Sequence, residues 1–134
     1  MLKKTLIAAT LAAFAFAGVA IAQNPPVSPS PVKRTVIGKT EVPGSNYEVL
    51  SAMVEIAPGF KAGRHFHPGK VFGQVVEGEF WLAVDGQPEK VIGPGQPIEL
   101  SDKAIHNEGA TDKGVKLIAV YVVEKGQPLV NPIK

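Results

Sequence analysis

The chain has no cysteine among its 134 residues. That excludes a disulfide framework, a thiolate nucleophile and any sulfur-ligated metal, so stability has to come from packing. Histidine is scarce, with three copies, and tryptophan occurs once. A basic excess is also lacking. The formal net charge is only +2, and Lys3 and Lys4 carry all of it, since the first 22 residues hold no acidic side chain. With no arginine cluster either, nucleic acid is not an expected partner, because neutralising phosphates takes many clustered cations.

No apolar run reads as a lasting membrane anchor. The stretch from Leu6 to Ala22 is alanine-rich and short for a span, and no cysteine follows that could carry a lipid. Lys3 and Lys4 precede it, and Ala20-Ile21-Ala22 before Gln23 fits the small-x-small cleavage pattern of a secretory signal peptide. Residues 1–22 are therefore expected to be removed on export, leaving a periplasmic or secreted protein with no membrane contact and a formal charge of zero. The remaining residues, 23–134, suffice for one compact domain and hardly for two. The polar, proline-rich text "QNPPVSPSP" over 23–31 predicts an extended leader without a core of its own.

From Val32 onward a sustained helical period is missing as well. In its place stand short apolar runs punctuated by glycine and proline, which predicts an all-β domain over 32–124. In "YEVLSAMVEIAPG" Leu50, Ala52, Val54 and Ile56 alternate with the other face, and Pro58-Gly59 ends the strand. "VFGQVVEGEFWLAV" reads as two strands broken near Gly78, and Asp85-Gly86 as the type I′ turn of a hairpin. "GPGQPIEL" gives a tight turn and a short strand, and "VKLIAVYVV" (Val115 to Val123) a long strand apolar on both faces. The residues 125–134 read as a tail or edge segment.

The three histidines then acquire geometry. Alternate strand residues share a face, so His65 and His67 project to one side, with Phe66 between them pointing away. Two imidazoles so spaced can reach one ion at about 2.0–2.1 Å each, with a third ligand from another strand. His106, just before Asn107 in a separate short strand, is available for that.

These residues carry a resemblance to the cupins, small β-barrels of the jelly-roll type. The first cupin motif is a glycine, five residues, His-x-His, three or four residues, a glutamate, six residues and a glycine. Here Gly59, "FKAGR", His65, Phe66, His67 and Gly78 match it, while Val71 stands at the glutamate, next to Lys70. In the second motif Gly95, "QPIEL" and His106 keep the frame, with Ser101 at its proline, Lys103 at its glycine and Ala110 at its asparagine. The resemblance spans roughly Val32 to Glu124 and implies a cupin-type jelly-roll barrel in a single domain, most similar to small secreted cupins. It also implies a homodimer.

The resemblance puts a divalent transition metal on His65, His67 and His106, with the fourth protein ligand gone. An all-imidazole set suits zinc, iron, copper or nickel better than manganese. Such an ion can acidify water or polarise a chelating oxygen. The implied function is metal-dependent chemistry on a small organic molecule, with dioxygenase-type oxidation first and an isomerase or lyase role also open. Val71 at the mouth is expected to keep the site dry. Glu99, Glu55 and Gln74 read as outer-face residues rather than substitute ligands, and Trp81, Phe60, Phe66 and Phe72 as core or interface packing. No side chain reads as a dedicated general base. Two competing classes stay open: a metal-free barrel that binds a small molecule or carbohydrate in a degenerate site, and a structural protein whose barrels pair edge to edge through the strand of Val115 to Val123.

Overall fold

The structure, a computed structural model, describes residues 28–134. The expected signal peptide and residues 23–27 of the leader lie outside the described residues. The described chain is all β, in eight strands of one curled antiparallel sheet. They are β1 (Val32–Glu41), β2 (Tyr47–Ile56), β3 (His65–Phe66), β4 (Gly69–Val84), β5 (Lys90–Ile92), β6 (Pro97–Leu100), β7 (His106–Glu124) and β8 (Asn131–Pro132).

β7 is the spine. Along one edge it pairs with β4 from Val84↔His106 to Gly69↔Val123, and along the other with β2 and then β3, where His65 stands opposite His106. β1 extends the sheet beyond β2, and β5 and β6 line the far edge of β4. β8 pairs with β3, so the segment after β7 returns to the barrel. Alternation along these strands buries one face: Ala52, Val54 and Ile56 of β2, Ile98 and Leu100 of β6, and Leu117, Ala119, Tyr121 and Val123 of β7 form the core.

Three local expectations are corrected. The segment around Gly78 is one strand, β4, irregular rather than broken: a bulge at Val76 shifts its register between Val75 and Glu77, and between Gly78 and Phe80 the surplus residues lie on β7, over 111–114. A bulge adds a residue and bends the strand without ending its pairing. His106 likewise opens β7 and belongs to no separate short strand. Asp85-Gly86 does turn the chain, with the Gln87 amide donating to the Val84 carbonyl, but of the two only Gly86 has positive φ (77°). A type I′ turn would need it at both.

These irregularities have a consequence for sidedness. In β4 the buried residues change from Val71 and Val75 to Phe80 and Leu82, and in β7 from His106 and Ala110 to Val115, Leu117, Ala119 and Tyr121. Both strands thus change parity at the same level, where Gly78 pairs with Val115 and Gly114 has φ 69°. Without that change, strict alternation back from Tyr121 would turn His106 outward. The competing reading of barrels paired edge to edge through Val115 to Val123 is also overturned, because β2 and β4 already occupy both edges of that strand.

Gly78 tests the bulge. Its φ is 75°, and a Cβ there would lie 2.1 Å from the Gly114 carbonyl oxygen, whereas at Gly86 (φ 77°) a Cβ meets nothing within 4 Å. Gly86→Ala should cost only the left-handed strain, about 1–2 kcal/mol, and Gly78→Ala clearly more, because backbone must also move. Urea denaturation of both variants checks this; equal midpoints would sink the argument.

Candidate metal centre

His65 opens the two-residue strand β3 and His67 directly follows it, and both are buried. His106 is fully buried at the head of β7, opposite His65. The structure therefore brings the three sequence-predicted residues together, with ring centroids 4.4 Å apart for His65 and His106 and 5.1 Å for each of the other two pairs.

The rings are oriented by backbone. Each Nδ1 faces a carbonyl oxygen: His65 that of Gly63 at 2.7 Å, His67 that of Leu129 at 2.7 Å and His106 that of Ala104 at 2.9 Å. A carbonyl only accepts, so each Nδ1 carries the proton and each Nε2 keeps its lone pair. The Nε2 atoms of His65 and His106 are buried without a hydrogen-bond partner. Leaving such atoms unpaired is costly unless something else occupies their lone pairs.

A fourth group converges on the same point. Glu108, two residues after His106 on the same face of β7, has its carboxylate oxygens 3.6 Å from His65 Nε2 and 3.4 Å from His106 Nε2. One ligand atom from each of His65, His67, His106 and Glu108 lies within 4.8 Å of the others. Bonds of about 2.1 Å arranged tetrahedrally would separate neighbouring ligand atoms by about 3.4 Å, so the Glu108 distances suit a shared ion better than a hydrogen bond. Three imidazoles and one carboxylate thus fit a divalent metal.

This corrects the expectation that no carboxylate remains. Val71 does stand where the motif's glutamate would, and it is 4% exposed inside the barrel rather than at the mouth. Glu108 supplies the charge from the other strand. The signal was available in "HNE": the alternation that pairs His65 with His67 also pairs His106 with Glu108. The weighed substitutes are elsewhere. Glu99 is exposed and ion-paired with Lys70 at 3.4 Å, which also turns Lys70 away from the site, and Glu55 pairs with Lys33 and Lys116. Gln74 donates to the Gly95 carbonyl. Trp81 lies under Lys61 and donates to Glu89. Phe66 is half-buried and Phe72 is exposed, while Phe60 packs on the core and lines a cleft beside the site.

Glu108 lines two cavities. The inner one, about 20 Å³, is shared with His67, Val71 and Tyr121 and has room for about one water. The other is a cleft of about 220 Å³ that Val32, Arg34, Phe60, His65 and Val130 also line. It gives a small molecule access to the buried cluster.

Electrostatics within the cluster are set by burial and by Glu108. Burial would push the Glu108 carboxyl up, but the imidazoles of His106 and His65 outweigh it and hold the group well below the usual carboxylate range. Burial pushes His67 down to about 4, against the pull of Glu108 and of the Leu129 carbonyl. At His65 burial also opposes protonation, yet Glu108 and the Gly63 carbonyl overcome it and the net shift is upward.

An all-β barrel enclosing three buried histidines and a half-buried glutamate that could hold a metal defines a class of small barrels with an interior site. A family model described as "Cupin domain" matches residues 52–123, and this chain belongs to that family. Solved structures share the fold. The DMSP lyase DddQ from Ruegeria pomeroyi is 17% identical over 66% of this chain and 44% of its own, with a TM-score of 0.57. KdgF from a Halomonas species is 17% identical over 72% of this chain and 84% of its own (TM-score 0.58), and a cupin-like protein from Thermotoga maritima is 23% identical over 76% and 74% (TM-score 0.56). The chain thus spans less than half the length of the lyase. Among curated proteins no match was found.

The His67 shift fixes a pH dependence for the metal-free protein. A folded value below the unfolded one contributes stability that is present above about pH 6.5 and is lost as the pH falls toward 4. The contribution is about 3 kcal/mol at one pKa unit per 1.36 kcal/mol. His65, shifted up, works in the opposite sense. Wild type and His67→Phe, both freed of metal, should converge in stability by roughly that amount between pH 7 and pH 4. Parallel denaturation profiles would contradict the assignment.

Proposed function

We propose that this cupin domain is a metal-dependent enzyme acting on a small organic molecule, with His65, His67, His106 and Glu108 holding a divalent transition metal. The observation that carries the reading is the pair of buried, unpartnered Nε2 atoms on His65 and His106 beside the Glu108 carboxylate. A ligand set with one carboxylate suits zinc, iron, copper or nickel and improves the site for manganese. When bound, the ion supplies Lewis acidity toward a substrate oxygen or, if redox-active, a centre for chemistry with dioxygen.

The chain's own contributions are definite. The carbonyls of Gly63, Leu129 and Ala104 hold the rings with Nε2 inward, so little reorganisation accompanies loading. Glu108 cancels one unit of the cation's charge, and Val71 and Tyr121 keep the interior cavity small and mostly apolar. The cleft lined by Phe60, His65 and Val130 would receive the substrate.

Dioxygenase-type oxidation is the first activity to test, and metal-assisted elimination the second, because a fold neighbour is a lyase by name. The metal-free binding reading loses its main support, since Glu108 provides the carboxylate it assumed lost. Export to the periplasm or beyond is part of the proposal, supported by the N-terminal pattern of Lys3, Lys4 and Ala20-Ile21-Ala22. So is a homodimer, which would cover Phe72 and Ile118, exposed at 45% and 38%.

The test has two stages. Purified protein should carry near one equivalent of a transition metal by mass spectrometry, Glu108→Gln should bind it at least about tenfold more weakly, and His65→Ala/His67→Ala should not retain it. Loaded protein should then turn over one or more members of a panel of small oxygen-bearing organic molecules, followed by oxygen uptake and product analysis, and His67→Ala should abolish this. Wild type that stays empty after reconstitution, or turnover unchanged in His67→Ala, would overturn the proposal.

A further inference from the structure

Arg34 is a cation whose position the metal cluster does not explain. It lies on β1 opposite Val54, on the face that looks into the barrel, and is half-buried. Lys33, Arg64, Lys70, Lys103 and Lys113 each meet a carboxylate at the surface, whereas Arg34 is in ion-pair contact with none of the described carboxylates. Its one polar side-chain partner among the described residues is neutral: Nε donates to the Tyr121 hydroxyl at 3.4 Å.

That contact leaves donors to spare. Since the hydroxyl oxygen accepts from Nε, the phenolic proton is free to point elsewhere, and both terminal Nη groups of the guanidinium are uncommitted. Guanidinium nitrogens present a planar fork that matches the two oxygens of a carboxylate.

The surroundings say what the donors face. Arg34 lines the 220 Å³ cleft together with His65 and Glu108, and the remaining walls include Val32, Phe60 and Val130. Tyr121 bridges to the cluster, with its ring 5.2 Å from that of His67 and 5.8 Å from the Arg34 guanidinium carbon. A loaded site would set a dication and a guanidinium on one partly desolvated cleft, with Glu108 as the only carboxylate lining it. Glu108 offsets one unit of that charge, so the loaded cleft would keep a net positive charge that a bound anion balances.

We infer that Arg34, its guanidinium oriented by the Tyr121 hydroxyl, is the receptor for the carboxylate of a small, otherwise apolar organic acid bound in this cleft beside the histidine cluster. Apolar walls favour a carboxylate on a short hydrocarbon body over a heavily hydrated phosphate. The carboxylate takes the Arg34 fork, the hydrocarbon lies on Phe60 and Val130, and the far end of the acid reaches His65 and Glu108. The substrate class, small organic acids, rests on the proposed metal-dependent function; the anion receptor itself does not.

The experiment is a titration with butyrate and with its uncharged isostere butyramide, on metal-free and metal-loaded full-length protein, by ligand-observed nuclear magnetic resonance. Butyrate should bind at least tenfold more tightly than butyramide in both forms. Arg34→Met should erase that preference while its metal content stays at the wild-type level, and Tyr121→Phe should reduce it. Should Arg34→Met fail to fold, Arg34→Lys keeps the charge without the fork and should show an intermediate preference. Butyramide bound as well as butyrate, or an unchanged preference in Arg34→Met, overturns the receptor; an arginine that merely packs on Tyr121 would alter thermal stability and leave the preference intact. If the protein takes up no metal, the proposed function fails separately, and the metal-free titration still decides on Arg34.

Discussion

Pairing of β7 on both edges is the constraint to which the rest of the barrel is indexed. One edge fixes β4 and, through it, β5 and β6; the other fixes β2, β1 and the short β3. Because side-chain direction has a period of two, one slip along β7 would exchange core and surface throughout. The bulge in β4 and the surplus residues of β7 that end at Gly114 change parity together. Leu117 and Tyr121 therefore share an interior with His106 and Glu108 although they lie an odd number of residues apart.

Four polar side chains in that interior would be a large liability if each needed its own compensation. The burden is distributed. Backbone carbonyls satisfy the Nδ1 side of every imidazole, and a proton or a cation on the inward Nε2 atoms would stabilise the Glu108 carboxylate. What is left over is a set of inward lone pairs fixed by the scaffold, which is how a binding site is preorganised rather than induced. Lys103 shows the same economy at the second motif, where it replaces a glycine yet sits at φ 53° and is tied to Glu124 at 2.8 Å.

Much of this was legible in the amino-acid order. The all-β class and the alternation of β2 follow from period and spacing, whereas the convergence of His65, His67 and His106 is what the resemblance to the cupin motifs implies. The strand β1 was not singled out, because its half-exposed face gives a weak pattern, and residues such as Val36 remain exposed on it. Glu108 was missed for another reason: attention to the motif's own glutamate position, now Val71, hid a carboxylate placed by the same alternation one strand away. The continuity of β4 and β7 was hidden by the glycines Gly78 and Gly114, which interrupt the alternation where the register shifts, while pairing of the two strands resumes at Phe80↔Ala110.

The carbonyl that orients His67 belongs to Leu129, 62 residues further along the chain. His65 and His67 are near neighbours in sequence, so an unfolded chain offers an ion a pair of freely rotating imidazoles and little else. The remaining ligands and the orienting carbonyl arrive only when β7 and the segment after it have docked, contacts of high sequence separation that form late and slowly. Metal capture at the proposed site would therefore read out the completion of folding instead of templating it. A bound ion would add its affinity to the finished barrel alone, deepening the native basin while leaving the rate of reaching it almost unchanged.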